Sequence, residues 1–362
     1  MELPKEKYFG ELELVHSFFG EMPTGVSVSE DGRIFINFPE WGDDVQATVV
    51  EIVEDKLVPY PSKEANSFDP ENPENSFLSV QSIVADGAGT LWVLDTAAPN
   101  FDVPIEGAAK LVAVDLESNT IRRVYTFSKE VVLDSTYLND VRIDLRRGNE
   151  GVAYITDSSI TGPGAIIVVE LDTGNAYRVL DGTSSTAVDT SFLPKVEGEI
   201  LLNREENGDT SPWQVAADGI ALSPDGKRLY YSPLSSRHLY SIETDLIFDP
   251  RVADDSLETY VKDWGEKGAS DGMITAIDGT IYAGDYENNS IRAIYTNGKM
   301  ETIVHDPRIL WPDTLSIGED EYLYFNSNQL HRQAGFHYGK DLREKPYSLF
   351  RLFIGKKPAK SK

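Results

Sequence analysis

Asp140, Asp218, Asp271 and Asp313 stand at one equivalent place in four successive repeats of this sequence, and Thr24 and Gln81 hold that place in the two repeats before them. The place is set by a turn. Counting eight residues back from Gly32, Gly89, Gly226, Gly279 or Glu321 gives Thr24, Gln81, Asp218, Asp271 and Asp313. The third repeat has a longer turn, and aligning it on its strand gives Asp140, with Asn139 before it. Oxygen-bearing side chains of this kind are the ligands of hard cations. Four carboxylates converging on one point repel each other unless something positive sits among them. The pattern therefore predicts a divalent cation, calcium or magnesium, held by Asp218, Asp271 and Asn139 or Asp140. Such an ion polarises a carbonyl so that water attacks it without a nucleophilic side chain, and Asp271 or Asp140 would be the base. An organic cation would satisfy the same charge. An Asp before Gly, as in Asp218-Gly219 and Asp271-Gly272, can also simply cap backbone amides in a tight bend.

The elements that must position these groups recur with them. Each repeat reads as an apolar strand, a tight turn and a second apolar strand. Asp31-Gly32, Asp225-Gly226 and Asp278-Gly279 are strong hairpin turns between alternating runs. Past the second strand two further strands follow in most repeats, for example 111–116 and 121–125, or 165–171 and 176–180. Four antiparallel strands at periods of about 40 to 75 residues are the make-up of propeller blades with loop insertions. The sequence predicts an all-β, six-bladed β-propeller, one domain over residues 1–362, with little helix. The sixth repeat lacks an outer strand, and the alternating segment 12–18 is expected to supply it and close the ring. Residues 62–76 read as a surface loop. Residues 183–214 read as a longer insertion with one extra hairpin around 198–203, a candidate lid.

Strand directions put the start of each innermost strand and the end of each second strand on one face. Asp95, Asp157, Asp285 and Asn326 are therefore expected at the same opening. Trp213 and Trp311, beside the strand starts, are candidates to wall the pocket. His331 and His337 read as loop residues, because no carboxylate is spaced to pair with either.

Bulk composition narrows the partners to a small molecule. A formal net charge of −27 argues against nucleic acid and anionic membrane, which draw their affinity from clustered Lys and Arg. With no cysteine and only five His, thiolate chemistry is excluded and a zinc site is poorly supported. No phosphate-binding glycine loop or nucleophile elbow is present, which disfavours a covalent hydrolase. The charged start, residues 1–8, lacks the apolar run of a signal peptide, and no stretch of 18 apolar residues occurs. The expected location is the cytoplasm, or outside the cell if a leader has been removed.

Leu91-Trp92-Val93-Leu94-Asp95, Asn139-Asp140-Val141, Asp157, Asp218-Gly219-Ile220, Ser232-Pro233, Asp271-Gly272, Trp311-Pro312-Asp313 and the run from Tyr322 to His331 together carry a likeness along nearly the whole chain. On these motifs the sequence resembles the bacterial members of the yellow/major royal jelly protein family. That resemblance implies a six-bladed propeller and no single function, since the family includes melanin-pathway proteins, secreted food proteins and salivary amine binders. By likeness to the amine binders, Thr314, Asn326 and Asn328 would line a ligand pocket with Thr24, Gln81 and Asp313. A tautomerase or isomerase is implied by the melanin-pathway members. More distantly, the chain is similar to the gluconolactonase and regucalcin family of metal-dependent lactonases. There, Asn139-Asp140 matches the lining position, Asp218 stands where a ligand Asn would be, and Asp271 matches the ligand Asp. The blade-one Glu of that family is replaced by Thr24 or Gly25. This similarity implies a hydrolase acting on a lactone or small ester.

Overall fold

A computed structural model describes residues 8–249 and 251–362; the charged segment 1–7 lies outside the described residues. Six four-stranded antiparallel sheets are arranged as the blades of a propeller. Blade one is Gly25–Val28, Ile34–Asn37, Val49–Val53 and Lys56–Pro59, and blade two is Val80–Ala85, Thr90–Asp95, Lys110–Asp115 and Thr120–Thr126. Blade three follows with Leu138–Asp144, Val152–Asp157, Ala165–Glu170 and Ala176–Val179. Blade four is Ala217–Leu222, Arg228–Pro233, His238–Glu243 and Lys262–Glu266, and blade five is Met273–Thr275, Ile281–Asp285, Ser290–Ile294 and Met300–His305. Blade six takes Pro312–Ile317, Tyr322–Ser327 and Tyr347–Phe353 from one end of the chain and Leu12–Phe18 from the other, so the expected closure is present.

Apolar side chains alternate onto both faces of each sheet and fill the spaces between neighbouring blades. Leu94, Leu111, Val141, Ile155 and Ile167 join blades two and three, while Tyr154, Val168, Ile220 and Tyr231 join three and four. The closing strand is held in the same way: Phe18, Phe38, Val26, Tyr324 and Leu349 form one cluster, and the Phe18 and Phe38 rings meet edge to face at 5.8 Å. Fully burying one such side chain stabilises the fold by roughly 1.5 to 3 kcal/mol.

Two features depart from the sequence reading. The 183–214 insertion holds two short hairpins, Lys195–Val196 with Glu199–Ile200 and Leu202–Arg204 with Thr210–Pro212, where one was expected. Glu197 and Gly198, both at positive φ, form the tight turn of the first. In addition, the innermost strands of blades two, three, four and six carry a register irregularity near their start, between Val80 and Ser82, Leu138 and Val141, Ala217 and Gly219, and Pro312 and Leu315. Gln81, Asn139, Asp218 and Asp313 sit in these bulges, which re-aim side chains at the rim of a sheet.

Because Phe18 is the ring-closing contact, Phe18→Ala is expected to cost about 3 to 5 kcal/mol. Urea unfolding would measure it, and an unchanged midpoint would show that the closing strand contributes no core.

Candidate functional site

The bulges correct the alignment of the third repeat. Asn139, opposite the step between Asp157 and Ile155, holds the place of Gln81 and Asp218, and Asp140 falls one residue further along with Ser82 and Gly219. The shift turns Asp140 away from the opening. It accepts from Ser82 Oγ at 2.7 Å, from the Val141 amide at 2.9 Å and from Arg142 Nη1 at 2.8 Å, an ion pair buried within the channel.

Gln81, Asn139, Asp218, Asp271 and Asp313 do converge. Together with Trp41, Phe101, Trp213, Val215, Leu234 and Leu330 they line a narrow pocket of about 20 Å³ at the upper end of the channel. The glycines after two of the aspartates make the convergence possible. A Cβ on Gly219 would lie 2.3 Å from the Asp271 carbonyl oxygen, and one on Gly272 would lie 2.7 Å from that of Asp313. Asp218-Gly219 and Asp271-Gly272 are therefore close approaches between successive blades.

A belt of hydrogen bonds runs round this pocket and ends on the carboxyls. Trp41 Nε1 donates to Tyr137 OH (2.8 Å), Tyr137 OH to Gln81 Oε1 (3.0 Å), Gln81 Nε2 to Asn139 Oδ1 (3.2 Å) and Asn139 Nδ2 to Asp218 Oδ2 (2.6 Å). Ser158 Oγ adds a donor to the same Asp218 oxygen at 3.1 Å. From the other side Trp311 Nε1 donates to Asp271 Oδ2 at 2.7 Å, and Asn328 Nδ2 to Asp313 Oδ2 at 2.7 Å. The Asp218 and Asp271 carboxyls are close enough that ionising one opposes ionising the other.

Burial, reinforced by the Asp271 and Asp313 charges, pushes the Asp218 carboxyl well above the usual range. Burial also pushes Asp271 up to about 6, against the hydrogen bonds from Trp311 and Asp218 that lower it, and burial followed by the Asp271 charge raises Asp313. Among the described residues, none of the three carries an ion pair.

Rings wall the pocket on two sides. Phe101 stacks on Tyr137 at 4.2 Å and on Trp41 at 5.0 Å. It is carried by a segment in which Ala97, Asn100 and Phe101 itself all have left-handed φ near 51–61°, a strained conformation that the surroundings must enforce. Opposite, Trp213 lies 5.9 Å from Trp311, which stacks on Tyr286 at 4.1 Å and on His331 at 6.0 Å.

Several expected residues stand elsewhere. Thr24 Oγ1 accepts from Asn37 Nδ2, Thr314 faces the lower channel, and both polar atoms of buried Asn326 lack a partner. Asn328 touches the site through Asp313 alone, and Trp311 through Asp271. The second set of carboxylates does not share the opening. Asp95 accepts from the Leu78, Ser79 and Ala97 amides and pairs with Lys110, Asp157 accepts from the Tyr137 amide and pairs with Arg178, and Asp285 accepts from Asn288 and pairs with Arg292. They fasten strand ends. His331 also departs from its loop reading. Its Nε2 lies 2.7 Å from Glu197 Oε2 in the insertion, and Arg332 grips both oxygens of that carboxylate, whose pKa these contacts bring down to about 2.

The donor set does not fit a resident divalent cation. Calcium takes six to eight oxygens and magnesium a near-ideal octahedron. Here Asn139 Oδ1 and Gln81 Oε1 already accept hydrogen bonds, Asp140 is ion-paired through Oδ1 to Arg142, and burial holds the Asp218 and Asp271 carboxyls toward their protonated forms. Among the described residues no group of three or more His, Cys, Asp or Glu is arranged to hold a metal ion.

The family model described as major royal jelly protein matches residues 78–347, which include all five pocket polar residues. The chain belongs to the major royal jelly protein family. Relatives within it include the yellow proteins of Drosophila guanche, 23% identical over 332 residues, and Drosophila melanogaster, 22% identical over the same length. Each match covers 85% of this chain but only 56% and 58% of the fly proteins, so the chain spans just over half their length. Among solved structures, a gluconolactonase from Xanthomonas campestris superposes with a TM-score of 0.55 at 11% identity, covering 95% of this chain and 89% of its own. A calcium-binding regucalcin from Agrobacterium tumefaciens gives 0.56 at 13%, covering 96% and 95%. At such identities these likenesses establish the propeller fold alone. No helix among the described residues is long and apolar enough to cross a membrane.

The buried carboxyls make stability depend on pH. With folded pKa values above the unfolded ones, the folded state binds more protons, so stability falls as pH rises from about 4 through the folded values. Asp218→Asn mimics the protonated acid and keeps an acceptor for Asn139. It is expected to raise the melting temperature at pH 7 and to make little difference at pH 4; equal effects at both would show that Asp218 is not proton-bearing.

Proposed function

We propose that the upper pocket binds a small organic cation, a protonated primary amine attached to an aromatic ring. The observation that carries this reading is the set of three buried carboxyls that no basic side chain neutralises, roofed by Trp41, Phe101, Trp213 and their ring neighbours. An ammonium entering the pocket sits between the Asp218 and Asp271 oxygens and releases the proton that their raised pKa values retain. The guest's ring lies against the aromatic walls, where stacking and cation–π attraction each contribute about 0.5 to 2 kcal/mol. Gln81 and Asn139, each tied to its neighbour in the belt, hold the carboxyls in place and resist their mutual repulsion. With a raised pKa and a bound substrate, the same acid pair could move a proton on the guest, which is the step a tautomerase needs.

The second reading is a divalent-metal lactonase, which combines what two neighbours are described as, one a gluconolactonase and the other a calcium-binding protein. It is favoured by one feature, that the N–H donors reach only the Oδ2 atoms of Asp218 and Asp271 and leave acceptor capacity on both. It requires the belt to open, since the amide oxygens that would complete a coordination shell are taken.

Calorimetry with tyramine, with hexylamine and with calcium separates the two. The expected outcome is saturable tyramine binding that releases a proton, strengthens as pH rises through about 6 while Asp271 ionises, and weakens about 10- to 100-fold in Asp271→Asn, the loss of one charge-assisted contact. Calcium binding with EDTA-sensitive lactone turnover and no amine binding would replace this reading with the second.

A further inference from the structure

The channel has a second half. Below the Asp140–Arg142 pair, a cavity of about 90 Å³ is lined by all six innermost strands and shares no residue with the upper pocket. Its walls are largely aliphatic, including Val26, Ile83, Ile143, Leu222, Ile274 and Ile317. Two polar groups at this cavity are more than nine-tenths buried and lack a partner: Arg142 Nε and Thr275 Oγ1. The rest of the guanidinium is committed, Nη1 to Asp140 Oδ1 and the Val141 carbonyl and Nη2 to the Met273 carbonyl. An orphaned N–H and an orphaned hydroxyl beside aliphatic walls are groups that an acceptor on an otherwise apolar molecule would satisfy.

The lower mouth is covered by residues 356–362. This segment runs extended across the face: the Ile277 amide donates to the Lys357 carbonyl (2.9 Å), the Ala359 amide to the Thr275 carbonyl (3.2 Å), the Leu145 amide to the Ser361 carbonyl (2.8 Å) and the Ser361 amide to the Asp86 carbonyl (3.3 Å). Lys356 pairs with Asp278, Lys357 with Glu319, and Lys360 with Glu30 and Glu319. None of its residues is buried, so the segment contributes no core and can lift without disturbing the blades.

We propose that the lower cavity is a second small-molecule site, for a short aliphatic carboxylate whose oxygens accept from Arg142 and Thr275, and that residues 356–362 are the strap that closes it. The proposal does not depend on the amine reading of the upper pocket. The test is titration of the full chain with octanoate, followed by ligand-observed NMR, with hexylamine as the cationic control. Saturable octanoate binding is expected, unchanged in Asp271→Asn, lost in Ala85→Phe, which fills the cavity, and weakened in Thr275→Val. The strap is tested by the double variant Lys357→Glu, Lys360→Glu, which sets it against Glu30 and Glu319 and is expected to speed octanoate exchange about three- to tenfold, the effect of losing three surface ion pairs. Absence of saturable binding in both the full chain and the double variant, or binding that survives Ala85→Phe, overturns the site. Equal exchange rates in the two chains overturn the strap.

Discussion

Three carboxyl groups share one water-poor cavity, and that repulsion is the constraint to which the rest of the molecule answers. Two like charges about 4 Å apart at an effective dielectric near 20 oppose each other by about 4 kcal/mol, so the cluster cannot ionise fully without help. Elsewhere the same fold supplies that help with a cation: Asp95 has Lys110, Asp157 has Arg178, Asp285 has Arg292 and Asp140 has Arg142. At the upper pocket it supplies protons and neutral donors instead, from Trp311, Asn139, Asn328 and Ser158. The contrast lies within one chain and one architecture. Where a carboxylate fastens a strand it is neutralised internally, and where the carboxyls face the pocket the neutralising charge is left to come from outside.

The same constraint explains the close approach of the blades. Neutral hydrogen bonds stabilise a carboxyl only at short range, so the Asn139 donor of blade three must reach Asp218 of blade four, and Trp311 at the start of blade six must reach Asp271 at the start of blade five. Gly219 and Gly272 let the neighbouring backbones come within that range, and the register irregularities turn Gln81, Asn139, Asp218 and Asp313 into the pocket. The belt therefore ties blade one, through Trp41, to Asp218 of blade four, while Trp311 ties blade six to Asp271 of blade five.

Much of this was legible in the sequence, because the Asp-Gly turns fix a phase that repeats. The six blades, the closing strand and the convergence of Gln81, Asp218, Asp271 and Asp313 all follow from that phase. What it could not resolve is a one-residue question. A bulge exchanges the faces of a strand, and in the third blade it put Asn139 in the pocket and turned Asp140 to Arg142. The strand-end carboxylates were misplaced for a related reason: a residue at a bend points where nearby amides draw it, and Asp95 is drawn by Leu78, Ser79 and Ala97. Glu197 and His331 lie 134 positions apart, so no spacing rule could join them. Trp41, Phe101 and Tyr137 come from loops or strand margins with no repeat period, and aromatic residues there carry no mark that separates a pocket wall from core.

The two aromatic walls are not equally held. Trp311 is fully buried, stacked on Tyr286 and His331, and bonded to Asp271; His331 is in turn clamped by Glu197 of the insertion. Moving that ring would strip a buried carboxyl of its donor. Phe101 and Trp41 are half-buried and stack on each other and on Tyr137, and Phe101 sits on strained backbone whose release favours departure. The pocket as it stands has room for little more than a water molecule, so any organic guest must push one wall aside. The energetic asymmetry makes the Trp41 and Phe101 side the one that yields, at the cost of the Trp41–Tyr137 hydrogen bond but with every donor on the carboxyls left in place.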